Sequence, residues 1–535
     1  MRLIYSILCA IFAIFGNGDC DHFKVIQTSD GAVRGVKNIT KWQKIDYYSF
    51  KGIPYGQPPI GDYRFKAPKP NKPWAPKVLD ATQFGSICPQ LGQLIPSPYK
   101  QSEDCLFLNI YVPADVKKNE KLAVLFFIHG GGYGEGSGND NYFGPDFIIE
   151  KNVILVTFNY RLGLLGLMSL NMPEYSGNMQ LKDQQLALKW IYRNIDYFNG
   201  DKHKITIIGQ SSGAASAHFH VLSSESRKYF QNSIQMSGVA SLYWAMSDYN
   251  DHLDIAHKIA KSTGNDTTNT TKLIEYLKSE SVDYLVKFSS IWTLMTDRTF
   301  LVFFTPVIER PDAVDPFMTK TVEELYETED INVNALFTHT TAEMLIVVIK
   351  ELPKMFDIAG LNSNFTLTLP FKHLRLSTRS TPYRQANDDI RQFYFGNETI
   401  TSNMSVEYVD MLSDINMVYA INKAAKLHAS KSQGQTYYAR VGIGETYYDE
   451  VFSTPDDEQS KISIRTIQDI TNLFTNFAKT NSNTNLGFQP IQNEQFHFLD
   501  VTNQGMVPGM NPNAKAMAFW ANMEQKMQPY IHTSR

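Results

Sequence analysis

KITIIGQSSGAASAHFHVLS, residues 204–223, joins a β-rich apolar run to a run of small residues through the pentapeptide GQSSG at 209–213. The pattern Gly-x-Ser-x-Gly alone is common in loops, but a strand directly before it and a helix directly after it are typical of a nucleophile elbow. The glycines allow the tight turn that pushes the Ser211 hydroxyl out above a sheet. Ser211 is therefore the candidate nucleophile.

A second glycine motif, HGGGY at 129–133, follows an apolar run that ends at Ile128. A glycine run leaves backbone N–H groups free to face a ligand, and its position after a predicted central strand argues against a merely flexible loop. The amides of Gly131 and Gly132, with that of Ser212, are predicted to donate hydrogen bonds to a negatively charged oxygen.

Apolar, β-rich runs alternate with helical stretches along the chain. The predicted strands are 122–128, 153–158, 204–208, 334–338 and 435–441, and the clearest helical spacing lies at 181–195. This alternation predicts an α/β fold with a mostly parallel central sheet flanked by helices. Two polar, irregularly helical stretches, 245–300 and 370–430, are interpreted as helical insertions over the site.

Composition excludes several functional classes. Of the 535 residues, 43% are hydrophobic and 19% are charged, which is typical of a globular chain with a large core. The net charge is −4 and no five consecutive residues carry like charges, so nothing indicates a nucleic-acid partner. The sequence contains neither a phosphate-binding P-loop nor a His/Cys cluster with metal-ligand spacing, so we expect no cofactor and no metal.

The N-terminus has the features of a secretory signal peptide. Arg2 precedes an apolar run from Leu3 to Phe15, and small residues favour cleavage near Gly18. The apolar run is shorter than a membrane span, and the C-terminal tail lacks a lipid-anchor signal, so we expect no membrane anchor. The sequence thus predicts a signal peptide at 1–18 and a single extracellular domain at 19–535.

Secretion makes two further features meaningful. Candidate glycosylation sites in Asn-x-Ser/Thr sequons are Asn38, Asn265, Asn269, Asn364, Asn397 and Asn403. Three cysteines remain after cleavage, namely Cys20, Cys88 and Cys105, and an oxidising compartment favours the pairing of two of them.

Several longer segments resemble one family across nearly the whole mature chain. They are FKGIPYGQPPIGDYRFKAPKP at 50–70, SEDCLFLNIYVP at 102–113, NYRLGLLGLMS at 159–169, GNMQLKDQQLALKW at 177–190 and NSIQMSGVA at 232–240. They resemble the type-B carboxylesterases, which include insect esterases, juvenile hormone esterases and cholinesterases. The resemblance implies an α/β-hydrolase fold and carboxylic ester hydrolysis. It also implies a disulfide between Cys88 and Cys105 that leaves Cys20 outside.

The same resemblance locates the other two members of a catalytic triad. Glu343, in FTHTTAEMLIVV at 337–348, lies where the family has its acid, although Met344 replaces the usual glycine. Ser237 matches a serine beside the triad. The family's histidine motif aligns with the run from Gly444 to Phe452, where Tyr447 stands in place of the histidine. A tyrosine has a reference pKa of about 10 and is almost no base at neutral pH.

Other histidines offer few substitutes. His218 and His220 lie on the helix after Ser211 and are expected in the core, and His129 belongs to the glycine motif. His339 lies close to Glu343 in sequence but would need a rearranged geometry.

Two functional hypotheses therefore remain open. One is a serine carboxylesterase acting on small-molecule esters, impaired by Tyr447. The other is a catalytically inactive homologue that binds an apolar ligand, or a protein partner in cell or matrix adhesion. The loop between Cys88 and Cys105 holds Tyr99 but no tryptophan, which disfavours choline esters as substrates.

Overall fold

The computed structural model describes residues 22–92, 96–141, 143–289, 304–345, 358–367, 369–371, 374–442, 458–492, 495–502 and 504–531. The predicted signal peptide at 1–18, Cys20 and Tyr447 lie outside these residues.

The strands of the described chain form one large sheet. They are β1 Phe23–Gln27, β2 Ala32–Ile39, β3 Asp46–Pro54, β4 Val78–Asp80, β5 Phe107–Pro113, β6 Leu122–Ile128, β7 Ile154–Phe158, β8 Gly200–Gln210, β9 Asn232–Met236, β10 Asn334–Thr340, β11 Thr436–Gly442, β12 His497–Thr502 and β13 Gly505–Met510. Their order is β1-β2-β3-β5-β7-β6-β8-β9-β10-β11-β12-β13, with β4 paired to β2.

The middle of the sheet is parallel and its margins are antiparallel. Strands β7, β6, β8, β9, β10, β11 and β12 pair in parallel, whereas β1, β2, β3, β5 and β7 pair antiparallel, as do β12 and β13. Every residue of β6 and β7 is buried, as expected for strands covered on both faces. The predicted mostly parallel α/β sheet is thus confirmed.

Helices cover both faces of this sheet. They are α1 Gly163–Leu167, α2 Met179–Asn194, α3 Ser212–Leu222, α4 Tyr249–Ser262, α5 Thr270–Ser279, α6 Val282–Val286, α7 Val322–Thr328, α8 Thr381–Phe395, α9 Ser405–Ser413, α10 Tyr419–Lys431, α11 Glu458–Thr480 and α12 Ala514–Met527. A π-helical turn, Asp414–Val418, joins α9 to α10. Helix α2 confirms the helix predicted at 181–195, and the two predicted insertions contain α4–α6 and α8–α10.

Two further features bear on the sequence predictions. Cys88 and Cys105 form a disulfide, as the family resemblance implied. Among the described helices, none combines the length and the apolar composition needed to cross a bilayer.

Candidate active site

Ser211 lies at the sharp turn between β8 and α3. Its backbone has φ 57° and ψ −124°, a conformation that L-residues rarely adopt. Three hydrogen bonds hold this conformation. The Ser211 amide donates to the carbonyl of Met236 at 2.8 Å, and its own carbonyl accepts from Ala214 at 2.9 Å and from Ala215 at 3.0 Å. The elbow predicted from the sequence is therefore present as a strand, a strained turn and a helix.

Glycines make this turn sterically possible. A Cβ atom on Gly213 would lie 2.2 Å from the carbonyl oxygen of Ile128, and one on Gly238 would lie 2.2 Å from that of Ser211. Both distances are far below van der Waals contact, so larger residues there would displace the elbow from its neighbouring strands.

The HGGGY loop packs directly against the elbow. A Cβ atom on Gly130 would lie 3.1 Å from the Cβ of Ser211, and Gly131 and Gly132 have φ values of 111° and 57°. The amides of Gly131 and Gly132 donate no hydrogen bond to any residue in the described part of the chain. The Ser212 amide opens α3, where an N–H has no acceptor within the helix. Three unused donors next to Ser211 can stabilise a developing oxyanion.

Ser212 also has a role that the sequence did not reveal. Its hydroxyl oxygen accepts a hydrogen bond from the Tyr133 amide at 3.1 Å. Tyr133 is buried with φ 60°, and its hydroxyl donates to the carbonyl of Ala245 at 3.3 Å. The side chain of Ser212 therefore fastens the end of the HGGGY loop to the start of α3. No local sequence signal could have found this contact between distant segments.

Glu343 follows β10, just as Ser237 follows β9 and Ser211 follows β8. Because these strands are parallel neighbours, their carboxyl ends bring the three residues to one edge of the sheet. Glu343 Oε1 accepts hydrogen bonds from Ser237 Oγ at 2.7 Å and from the Thr340 amide at 2.6 Å. Burial raises the pKa of the Glu343 carboxyl, while these two hydrogen bonds oppose the rise.

Met344 is accommodated by the insertion that covers this edge. Its side chain is buried in an apolar cluster with Leu412 and Trp520. Its amide donates to Ser413 Oγ at 3.1 Å, immediately before the π-helical turn. The residue that departs from the family pattern thus anchors the Glu343 loop to the covering helices.

Two candidate substitute bases, His129 and His339, are each hydrogen-bonded through Nδ1 to a neighbouring carbonyl, and the Nε2 atom of each is buried without a partner among the described residues. His129 Nδ1 lies 2.8 Å from the carbonyl of Gly130, and His339 Nδ1 lies 2.7 Å from that of Thr340. Burial lowers the pKa of both imidazoles to about 4. Within the described chain, no histidine is hydrogen-bonded to Ser211 or Glu343. Tyr447, which the family resemblance predicts at the position of the triad histidine, lies outside the described residues.

The helical core holds the remaining two candidates. His218 is bonded to the Ala240 amide and to Tyr326, and His220 to Ser226 and Gln184. Burial lowers both pKa values to about 3, which makes these imidazoles poor proton acceptors. Their predicted core position is confirmed.

The six sequons differ in accessibility. The side chains of Asn265, Asn269, Asn364, Asn397 and Asn403 are exposed. Asn38 is half-buried in β2, where its amide nitrogen donates to Ser49 Oγ at 2.8 Å and to the Val36 carbonyl at 3.1 Å. A glycan on Asn38 would disrupt this pairing, so glycosylation stays a prediction that fits the other five positions better.

Comparisons with known proteins give a consistent result. The sequence model of the carboxylesterase family matches residues 22–520. A carboxylic ester hydrolase of Bombus ignitus is 34% identical over 436 residues, covering 77% of this chain and 74% of that protein. Esterase E4 of Myzus persicae is 34% identical over 443 residues, covering 80% of this chain and 77% of that protein. The crystal structure of juvenile hormone esterase from Manduca sexta, with OTFP covalently attached, has the same fold, with a TM-score of 0.81 at 24% identity over 94% of this chain and 100% of that one.

Proposed function

This chain belongs to the carboxylesterase family, and from that premise we propose that it hydrolyses small-molecule carboxylic esters through an acyl-enzyme formed on Ser211. The observation that carries the proposal is the backbone of Ser211, held at φ 57° and ψ −124° between glycines that leave no room for a Cβ. Backbone strain of this kind costs about 1–3 kcal/mol and persists at functional sites, where the surrounding structure enforces it.

The proposed reaction begins with attack of Ser211 Oγ on the acyl carbon. The carbonyl oxygen becomes negatively charged and receives hydrogen bonds from the amides of Gly131, Gly132 and Ser212. The alcohol then leaves, and water releases the acid from the serine in a second attack. Because the family's histidine is replaced, solvent water takes the serine proton in this scheme and a proton returns to the departing alcohol, while the Glu343 carboxyl stays hydrogen-bonded to Ser237 at the same edge of the sheet.

Tyr447 makes the proposed activity slow. A serine hydroxyl needs a neighbouring base, and a tyrosine with a pKa near 10 remains protonated at neutral pH. In one well-studied serine hydrolase, loss of the base costs roughly a millionfold in turnover and leaves about 10³- to 10⁴-fold over water. We therefore assign this chain an impaired esterase site.

We also propose that the protein is secreted and glycosylated. The apolar segment that ends before Gly18 supports export, and the Cys88–Cys105 disulfide fits an oxidising compartment. Five exposed sequons support glycosylation.

The second candidate function is ligand or partner binding without turnover. It is favoured by one observation: Tyr447 stands where the family has its base, while the candidate substitutes His129, His218, His220 and His339 are buried and none is hydrogen-bonded to Ser211 or Glu343. In this alternative, the esterase fold serves as a scaffold for an apolar ligand or an adhesion partner.

Turnover of a nitrophenyl ester by four proteins separates the two functions. Ser211→Ala measures the background, and Tyr447→His restores the family's base. Tyr448→His is the matched control, since it introduces the same imidazole one position away. We expect slow, Ser211-dependent turnover by the wild type and at least a tenfold gain in Tyr447→His alone, because only that change supplies a base for Ser211.

Two results would argue against an impaired esterase. Rapid Ser211-dependent turnover by the wild type would show that another residue acts as the base. A folded Tyr447→His variant that gains nothing would show that more than the histidine has been lost, and binding would then be the better account.

A further inference from the structure

A cavity of about 650 Å³ lies between helices α3, α7 and α10, apart from the Ser211 site. Its deep wall consists of the buried side chains of His218, Val322, Tyr326, Ala424 and Phe496. The volume lies within the usual range for sites that hold a small organic ligand. None of Ser211, Gly131, Gly132 or Glu343 lines the cavity, so it is not part of the esterase site described above.

The deep wall is uncharged because its polar groups are bonded to one another. The Ala240 amide donates to His218 Nδ1 at 3.1 Å, so His218 Nε2 carries the proton and donates to Tyr326 at 2.8 Å. Tyr326 donates to His428 Nδ1 at 3.1 Å, and His428 Nε2 donates to the Val333 carbonyl at 2.9 Å. Burial lowers the pKa of His218 to about 3 and that of His428 to about 4. The wall therefore favours an apolar occupant.

One polar group of the lining is unsatisfied. The hydroxyl oxygen of Ser241 is buried and has no hydrogen-bond partner among the described residues. Buried polar atoms without a partner are rare and costly in folded proteins, so this hydroxyl can bond to a polar atom of an occupant or of a bound water.

The rim carries a cation without a counter-ion. Lys423 pairs with Glu524 at 2.6 Å, but Lys426 makes no ion pair with any residue that the structure describes. The Lys426 ammonium lies 5.3 Å from the centre of the Phe496 ring, and partial burial lowers its pKa. Glu323, on α7, is the acidic residue of the rim, and its side chain is exposed to water. The Lys426 side chain is exposed at this rim, so its ammonium is free to pair with an anion at the mouth of the cavity.

We propose that this cavity is a binding site for an amphiphilic carboxylate of the fatty-acid class. The hydrocarbon chain packs against Val322, Ala424 and Phe496, and the carboxylate lies at the rim beside Lys426. This site is independent of ester hydrolysis, since binding requires neither Ser211 nor the group that accepts its proton.

Titration calorimetry of the purified full-length protein with dodecanoate tests the proposal. Lys426→Met removes the cation and keeps the length of the side chain. Lys431→Met is the matched control, because Lys431 lies on the same helix and pairs with Glu327 away from the cavity. Ser430→Trp blocks the rim from an exposed position, where a large side chain does not disturb the core.

We expect one dodecanoate per chain, about fivefold weaker binding in Lys426→Met, and at least tenfold weaker binding in Ser430→Trp. Lys431→Met and Ser211→Ala should bind as the wild type does. Absence of dodecanoate binding, or binding that survives Ser430→Trp in a folded protein, would overturn the site. Equal or tighter binding of dodecanol or dodecyltrimethylammonium would overturn the assignment of a carboxylate. Because none of these measurements involves turnover, an inactive esterase site would not affect the outcome.

Discussion

The backbone of Ser211 is strained, and this strain should have a measurable effect on the free energy of unfolding. At φ 57° a Cβ is unfavourable, whereas glycine adopts this region readily. A glycine at this position relieves about 1–3 kcal/mol of strain in the folded state. It also stabilises the unfolded chain by about 0.4–1 kcal/mol, because glycine has more backbone entropy there, and this opposing effect is the smaller one. We therefore expect Ser211→Gly to be about 1 kcal/mol more stable than the wild type in urea unfolding.

Ser211→Ala is the control for this measurement, because it removes the hydroxyl and keeps the Cβ. It should unfold within a few tenths of a kcal/mol of the wild type. If Ser211→Gly were no more stable than Ser211→Ala, the elbow would not be strained in solution.

Single residues could be predicted from the sequence where their role depends on residues close to them in the chain. Ser211, Gly131 and Gly132 lie in short motifs whose glycines indicate an unusual backbone conformation. The contact between Ser212 Oγ and the Tyr133 amide is different, because it joins segments 79 residues apart. It depends on how the HGGGY loop lies across α3, which is a property of tertiary packing.

Among the elements, the π-helical turn at Asp414–Val418 contains a carboxyl group in an unusual environment. Asp414 is buried and accepts a hydrogen bond from the Tyr394 hydroxyl at 2.7 Å. Burial raises the pKa of Asp414 from 3.8 to about 7, and the charge of Asp410 adds to the rise. A raised carboxyl pKa contributes stability that is fully present below pH 3.8 and is lost as pH rises through about 7.

We expect Asp414→Asn to remove this dependence, since the amide cannot ionise and its oxygen can still accept from Tyr394. Relative to the wild type, the variant should gain about 2 kcal/mol of unfolding free energy between about pH 5 and pH 7. Urea unfolding at several pH values measures the difference. Asp410→Asn, on the exposed side of α9, should show a much smaller change. Parallel stability curves for Asp414→Asn and the wild type would contradict the assigned ionisation.

The strands that the sequence predicted share a physical cause. Strands β6 and β7 are buried along their whole length, and β8, β10 and β11 each contain four or five consecutive buried residues, so each contributes a largely apolar run. Strand β9 was missed because its sequence, NSIQM, is largely polar. Its buried Asn232 donates to Asn481, far along the chain, at 2.8 Å, and its buried Gln235 donates to Ser233 at 2.9 Å on the same strand. A sequence pattern does not show such compensation.

For the whole molecule, the buried histidines predict sensitivity to acid. Among the residues that the structure describes, six imidazoles are buried, with pKa values lowered to about 3 in His218, His220 and His252 and to about 4 in His129, His339 and His428. A lowered histidine pKa contributes stability that is present above pH 6.5 and is lost as pH falls towards the folded value. Each buried histidine should lower the free energy of unfolding by on the order of 1 kcal/mol per pH unit as pH falls through that range.

We therefore expect cooperative acid unfolding between about pH 6 and pH 4, with uptake of several protons, because the summed loss is comparable to the usual 5–15 kcal/mol of stability. Circular dichroism during acid titration, with potentiometric proton counting, measures both quantities. A protein that stays fully folded at pH 4 would show that these imidazoles are protonated without loss of structure.

The order of the strands also bears on how the sheet assembles while the chain is synthesised. From β8 to β13, each strand in the sheet lies beside the strand that precedes it in the chain, so this half of the sheet can be extended as the ribosome delivers it. Strand β10 has no neighbour on one side until β11 has been synthesised. On the order of a hundred residues separate the two strands, and their synthesis takes roughly 5–20 s. During that interval its backbone donors and acceptors are open to other nascent chains, and a chaperone that shields β-edges would have its main task there.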